Sequence, residues 1–153
     1  MDIDEVIVPV EHSKLPELMK NITEKEIRNT KAKKSVGGWS FPSYYFPGAN
    51  SMMMNRIQRV KDTKGRIKSI NNCDEVKAAG QHLPVTCLSG SCRMSTIAGK
   101  IGKTLHFRDS CPHFLECSKI GDEDFLVEDK VLWKVKDAVI ANTNKVKKTL
   151  NLS

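Results

Sequence analysis

The 153-residue chain is poor in the features that would settle its class at once. No stretch approaches the run of about 18 apolar residues that a membrane-spanning helix requires. The first residues, Met1 to Val10, carry no basic region followed by an apolar one, so they do not read as a secretory leader. That points to an intracellular protein, cytoplasmic or nuclear. Aromatic residues make up only 6% and apolar residues 39%, which leaves a thin core for this length. There is no internal repeat and no low-complexity tract. There is no H-E-x-x-H and no H-x-E joined to P-C-x-x-C, which removes two common zinc hydrolase patterns. Cysteine is missing from the first 72 residues and from the last 36.

What cysteine there is lies together. All five cysteines and three of the four histidines fall between Cys73 and Cys117. They divide into Cys73, His82, Cys87 and Cys92, and then His106, Cys111, His113 and Cys117. Thiolate and imidazole are the donors of closed tetrahedral zinc sites, which take four ligands each. The second group is the tighter. In Cys111-Pro-His113 the donors share one side of an extended segment, and Cys117 follows one helical turn later. In the first group Gly90 allows a tight return between Cys87 and Cys92. One or two Zn²⁺ ions are expected, and His82 and His106 could exchange roles. An odd number of cysteines fits a closed disulfide framework poorly. Interleaved histidines favour zinc over an iron–sulfur cluster.

The string Cys111-Pro-His113-Phe-Leu-Glu-Cys117, preceded by Cys87 and Cys92, resembles the zinc-binding layout of the His-Cys box homing endonucleases. The resemblance covers some 30 residues and implies a scaffold stapled by structural zinc. It does not carry the nuclease chemistry. Val85 and Thr86 stand where that family has its base histidine, and no asparagine lies between Cys92 and Cys117. A free Cys92 beside Arg93 is the other catalytic option, and it requires a thiol not bound to metal. The balance leans away from an enzyme.

The formal charge is +7, from 25 basic and 18 acidic side chains. Such an excess suits an anionic partner. Six cations, Arg56, Arg59, Lys61, Lys64, Arg66 and Lys68, crowd a predicted hairpin. Its strands are Arg56–Val60 and Arg66–Ile70, and Gly65 lies in the turn. Just before it, Trp39, Phe41, Tyr44, Tyr45 and Phe46 lie between Gly37 and Gly48, interrupted by Pro42 and Pro47. Glycine and proline at both ends exclude a helix there, and the segment reads as an aromatic loop. The Met52–Met54 triplet follows it.

The fold class expected is α+β, a small zinc-stabilised single domain over 1–153. A strand at Val6–Val10 and a helix at Ser13–Lys34 occupy 1–35. The helix carries a Leu15, Leu18, Met19, Ile22 stripe and a break near Thr23. The aromatic loop and basic hairpin fill 36–72, an irregular Cys/His-rich middle fills 73–120, and a C-terminal helix fills 121–153. The function expected is non-enzymatic nucleic-acid binding, with RNA or single strands favoured. Lys33, Lys34, Arg56, Arg59, Lys64, Arg66, Lys68 and Arg93 would neutralise phosphates, while Trp39, Tyr44 and Tyr45 stack bases. The alternatives are a zinc-stabilised protein–protein module, self-associating through the aromatic and methionine loop, and a metal-dependent nuclease.

Overall fold

The computed structural model describes residues 5–29, 36–48, 55–61, 67–80, 82–108 and 125–151. The chain enters as strand β1 (Glu5–Pro9), which pairs antiparallel with β9 (Gly102–Arg108) in the register Glu5↔His106 to Pro9↔Gly102. Proline cannot donate to a ladder, and Pro9 sits accordingly at the end of an edge strand. Helix α1 (Leu15–Asn29) follows and turns its expected stripe inward. Leu18 and Ile22 are buried, with Leu15 and Met19 packed beside them. The expected break at Thr23 does not form, because the Thr23 hydroxyl donates to the Met19 carbonyl one turn back, at 2.8 Å.

The aromatic segment departs most from expectation. It is two strands, β2 (Val36–Phe41) and β3 (Ser43–Pro47), separated by Pro42 alone. β2 is the centre of a three-stranded sheet, antiparallel to β5 (Lys68–Asn71) and parallel to β8 (Arg93–Thr96). β3 pairs parallel with β9 and completes the sheet β1-β9-β3. At the crossing between sheets, Thr104 N donates to the Pro42 carbonyl at 2.8 Å, so the ladder is not interrupted. The glycines serve packing and not a turn. A Cβ on Gly38 would lie 2.7 Å from the Ile70 carbonyl oxygen, and one on Gly37 2.8 Å from the Cys87 sulfur.

These strands build two cores. Leu18, Ile22, Val36, Trp39, Phe41 and Ile97 form one between α1 and the first sheet. Val8, Phe46, Leu105 and Phe107 form the other, with the Phe46 and Phe107 rings 5.0 Å apart.

The basic hairpin does not form. β4 (Gln58–Val60) pairs with β10 (Leu126–Glu128), far along the chain, and β5 pairs with β2. Pairing with β2 buries β5 against a central strand, which a two-stranded hairpin could not do. The turn residues 62–66 lie outside the described residues.

The middle of the chain is also ordered by strands. β6 (Val76–Ala79) and β7 (Pro84–Cys87) form an antiparallel hairpin closed by Gly80 N to the Leu83 carbonyl at 2.9 Å. Beyond it, Cys87 and Cys92 are joined by a disulfide, with Gly90 at φ +92° in the enclosed turn. Among the described residues no group of three or more His, Cys, Asp or Glu side chains is placed to hold a metal ion. Among the described residues the fold is therefore mostly β-sheet, with α1 and a C-terminal helix beside it, and the zinc-stabilised α+β class is corrected. A covalent bond and two apolar cores supply the cohesion that was assigned to metal. The loop this disulfide closes is short, and loop-closure entropy of that size is worth about 2 kcal/mol. Cys92→Ser should lower unfolding stability by that amount in a urea titration.

The expected C-terminal helix starts later than residue 121. A 3-10 turn at Val131–Val135 leads into α2 (Lys136–Thr149), none of whose residues is buried. No helix among the described residues is long and apolar enough to cross a membrane.

Candidate functional site

The first donor group does not converge on a metal. Cys87 and Cys92 are consumed by their disulfide. Cys73 is an exposed free thiol, and His82 Nδ1 is 3.1 Å from the Ile67 carbonyl oxygen. Of the second group, Cys111, His113 and Cys117 lie outside the described residues. His106 is described, and its Nδ1 is 3.4 Å from Glu5 Oε1.

Among the described residues the expected nucleic-acid face is not assembled either. Lys33, Lys34, Lys64 and Arg66 lie outside the described residues. Trp39 and Tyr45 are buried in the sheets, so neither can stack a base. Arg56 is half-buried. Arg93 Nη2 pairs with Glu26 of α1 at 3.1 Å, and Ser95 donates to the same carboxylate. Of the four cations read as phosphate contacts among the described residues, Arg59, Lys68 and Arg93 are paired with carboxylates inside the fold.

Two charge clusters flank β9. In the first, the strand register aligns Glu5, His106 and Tyr45 in one row across β1, β9 and β3. Lys68 Nζ lies 2.7 Å from Glu5 Oε2, an ion pair whose alignment departs from that of a hydrogen bond. Both side chains are almost wholly buried. The Tyr45 ring meets His106 edge-on with centroids 6.4 Å apart, and its hydroxyl donates to the Arg108 carbonyl at 3.3 Å. A buried charge is tolerated only when paired in this way.

The second cluster joins β3, β4, β9 and the segment after β10. Asp129 Oδ2 accepts from Arg59 Nε at 2.9 Å and from Lys103 Nζ, while its Oδ1 accepts from Val131 N at 3.2 Å. Arg59 Cζ lies 4.4 Å from the centre of the Tyr44 ring, and Lys103 Nζ 5.4 Å from it. Burial by itself would raise the Asp129 carboxyl. Lys103, Arg59 and the Val131 amide outweigh it and hold the group below its ordinary value. Tyr44, expected to stack a base, is stacked by this chain's own cations.

In both clusters the carboxylate is held by a cation of this chain, and each ties the start of β1 or the segment after β10 to neighbouring strands. The acids that complete them, Glu5 and Asp129, and Glu26 opposite Arg93, are not legible when the cations are read without their partners. The signal available was composition: 18 acids are enough to neutralise most of 25 bases. Neither cluster is a phosphate-tracking surface.

Comparison with known proteins gives the class that these clusters do not. The family described as Glycosyltransferase family 92 matches residues 1–148, almost the whole chain. No curated protein matches. The family match overturns the expectation of a zinc-binding, non-enzymatic nucleic-acid-binding protein, together with its alternatives of an interaction module and a His-Cys box nuclease.

Proposed function

The chain belongs to glycosyltransferase family 92, and from that membership we propose that it serves the transfer of a sugar from an activated donor to an acceptor hydroxyl. The single observation that carries this reading is the family match over residues 1–148. Such a transfer breaks the bond between the anomeric carbon and its leaving group, forms a new glycosidic bond, and takes the proton from the acceptor hydroxyl. The described strands act as framework in this reading, since Glu5 of β1 and Asp129 just after β10 are engaged by Lys68, Lys103 and Arg59.

We place the reaction in an oxidising compartment rather than the cytoplasm or nucleus. The support is the Cys87–Cys92 disulfide, a bond that reducing compartments do not maintain.

Incubating the protein with a panel of nucleotide-activated sugars, oligosaccharide acceptors and a divalent cation tests the activity. The expected result is release of the nucleotide leaving group together with an acceptor heavier by one sugar residue. Donor hydrolysis without acceptor gain, or no product with any donor, would overturn the reading.

A further inference from the structure

We propose that α2 is a docking helix whose narrow valine seam receives a partner helix edged with acidic side chains. This rests on the surface of α2 alone and not on the transfer reading. The root of α2 is fixed. Val131 and Leu132 pack against the second core, Lys134 Nζ donates to the Val10 carbonyl at 2.8 Å, and Asp129 holds the Val131 amide. Beyond that root none of the helix is buried. Val135, Val139, Val146 and Leu150 are 40%, 40%, 54% and 60% exposed. At about 100° per residue these four side chains fall within roughly 60° of one another.

The pattern specifies the kind of occupant. Spacings of four, seven and four residues, with Asn142 in the gap, lay these side chains in one narrow stripe, the width against which a single helix packs. A shallow depression along its C-terminal half is lined by Asn142, Lys145, Val146, Thr149 and Leu150. The seam is too narrow for a bilayer surface, which calls for a broad apolar face with large side chains.

Charge selects among helices. Lys136 and Lys147 border one side of the seam and Lys145 the other, whereas the one acid, Asp137, lies on the far face. An antiparallel second copy would set Lys136 against Lys147 of its mate, and the chain as a whole is +7. Acidic edges on the partner remove that conflict.

The helix also needs a partner. It is rich in Val, Thr and Asn, which are weak helix formers. The hydroxyls of Thr143 and Thr149 bond back to the Val139 and Lys145 carbonyls. A helix of this length and composition is marginal in water without burial.

The test uses the full chain and a labelled synthetic helix of about 21 residues, with Val and Leu in its seam, one central Asn, and Glu at the flanking positions. A control peptide carries Lys at those positions. Fluorescence anisotropy should give an affinity for the Glu peptide about tenfold or more above that for the Lys peptide at low salt, with the gap closing at high salt. Val139→Asp with Val146→Asp should abolish binding and leave the melting temperature of the sheets unchanged, because both side chains are exposed. Equal binding of the two peptides, or none, would overturn the proposal. So would a mass that doubles with protein concentration, or flotation with phosphatidylserine vesicles, if either is abolished by the same pair of substitutions.

Discussion

Replacing Phe41 with alanine is expected to cost about 3–5 kcal/mol of folding stability. Phe41 is fully buried on the central strand of its sheet, in one core with Leu18, Ile22 and Trp39. Its ring lies against the bare backbone of Gly102, where an added Cβ would approach Phe41 Cε1 to 3.0 Å and Leu18 Cδ2 to 2.9 Å. A wall formed by backbone cannot collapse into the cavity, which puts the cost toward the upper end of the range. For a domain of this size the thermal midpoint should fall by roughly 10 °C or more. Trp133→Ala, at an aromatic 47% exposed, should change it little. Had the aromatic segment been a surface platform, Phe41→Ala would resemble Trp133→Ala.

The second large effect is electrostatic. Asp129→Ala should destabilise by about 3–5 kcal/mol, because it strands two cations in a low-polarity setting. The Lys103 and Arg59 side chains are 10% and 20% exposed, so water can rescue neither fully. Asp129→Asn keeps an acceptor for the Val131 amide and removes the charge, which separates the two contributions. The pH dependence has a defined sign. The folded carboxyl titrates below its ordinary value of 3.8, so its stabilising contribution is complete above the unfolded pKa. It is lost as pH falls through the lower, folded one. Melting curves from neutrality downward should show a constant gap between wild type and Asp129→Asn until about pH 4, and a closing gap below that. A gap that widened in acid would contradict this account of the cluster.

Local signals in the sequence held where structure is local. The short apolar run at Val6–Val10 marks β1 to within a residue, and the Leu15, Leu18, Met19, Ile22 stripe marks the buried face of α1. The tight return at Gly90 between Cys87 and Cys92 is present, although it closes a disulfide. The failures have one physical origin. Gly37, Gly38 and Pro42 speak for a loop in any short window, yet the two glycines are required by the close approach of distant residues, the Cys87–Cys92 disulfide at Gly37 and Ile70 and Met94 at Gly38. The same holds for Lys68 and Arg59, whose partners Glu5 and Asp129 are distant in sequence. Cysteine arithmetic failed because an odd total does not prevent two of five from pairing. The proposed transferase role was not legible, because no short motif in the chain carries it.

The two parallel ladders set a tempo for self-assembly. Segment 36–47 runs beside segment 93–108 through both sheets, and the Ser40–Thr96 contact alone spans 56 residues of sequence. Neither half can register until the long intervening chain has closed, so much of the entropic cost precedes any reward. Renaturation should therefore fall on the slow, millisecond-to-second side for a chain of this size. Before that closure, β2 and β3 expose an apolar edge, and at high concentration this is the stretch through which unfinished molecules would adhere to one another.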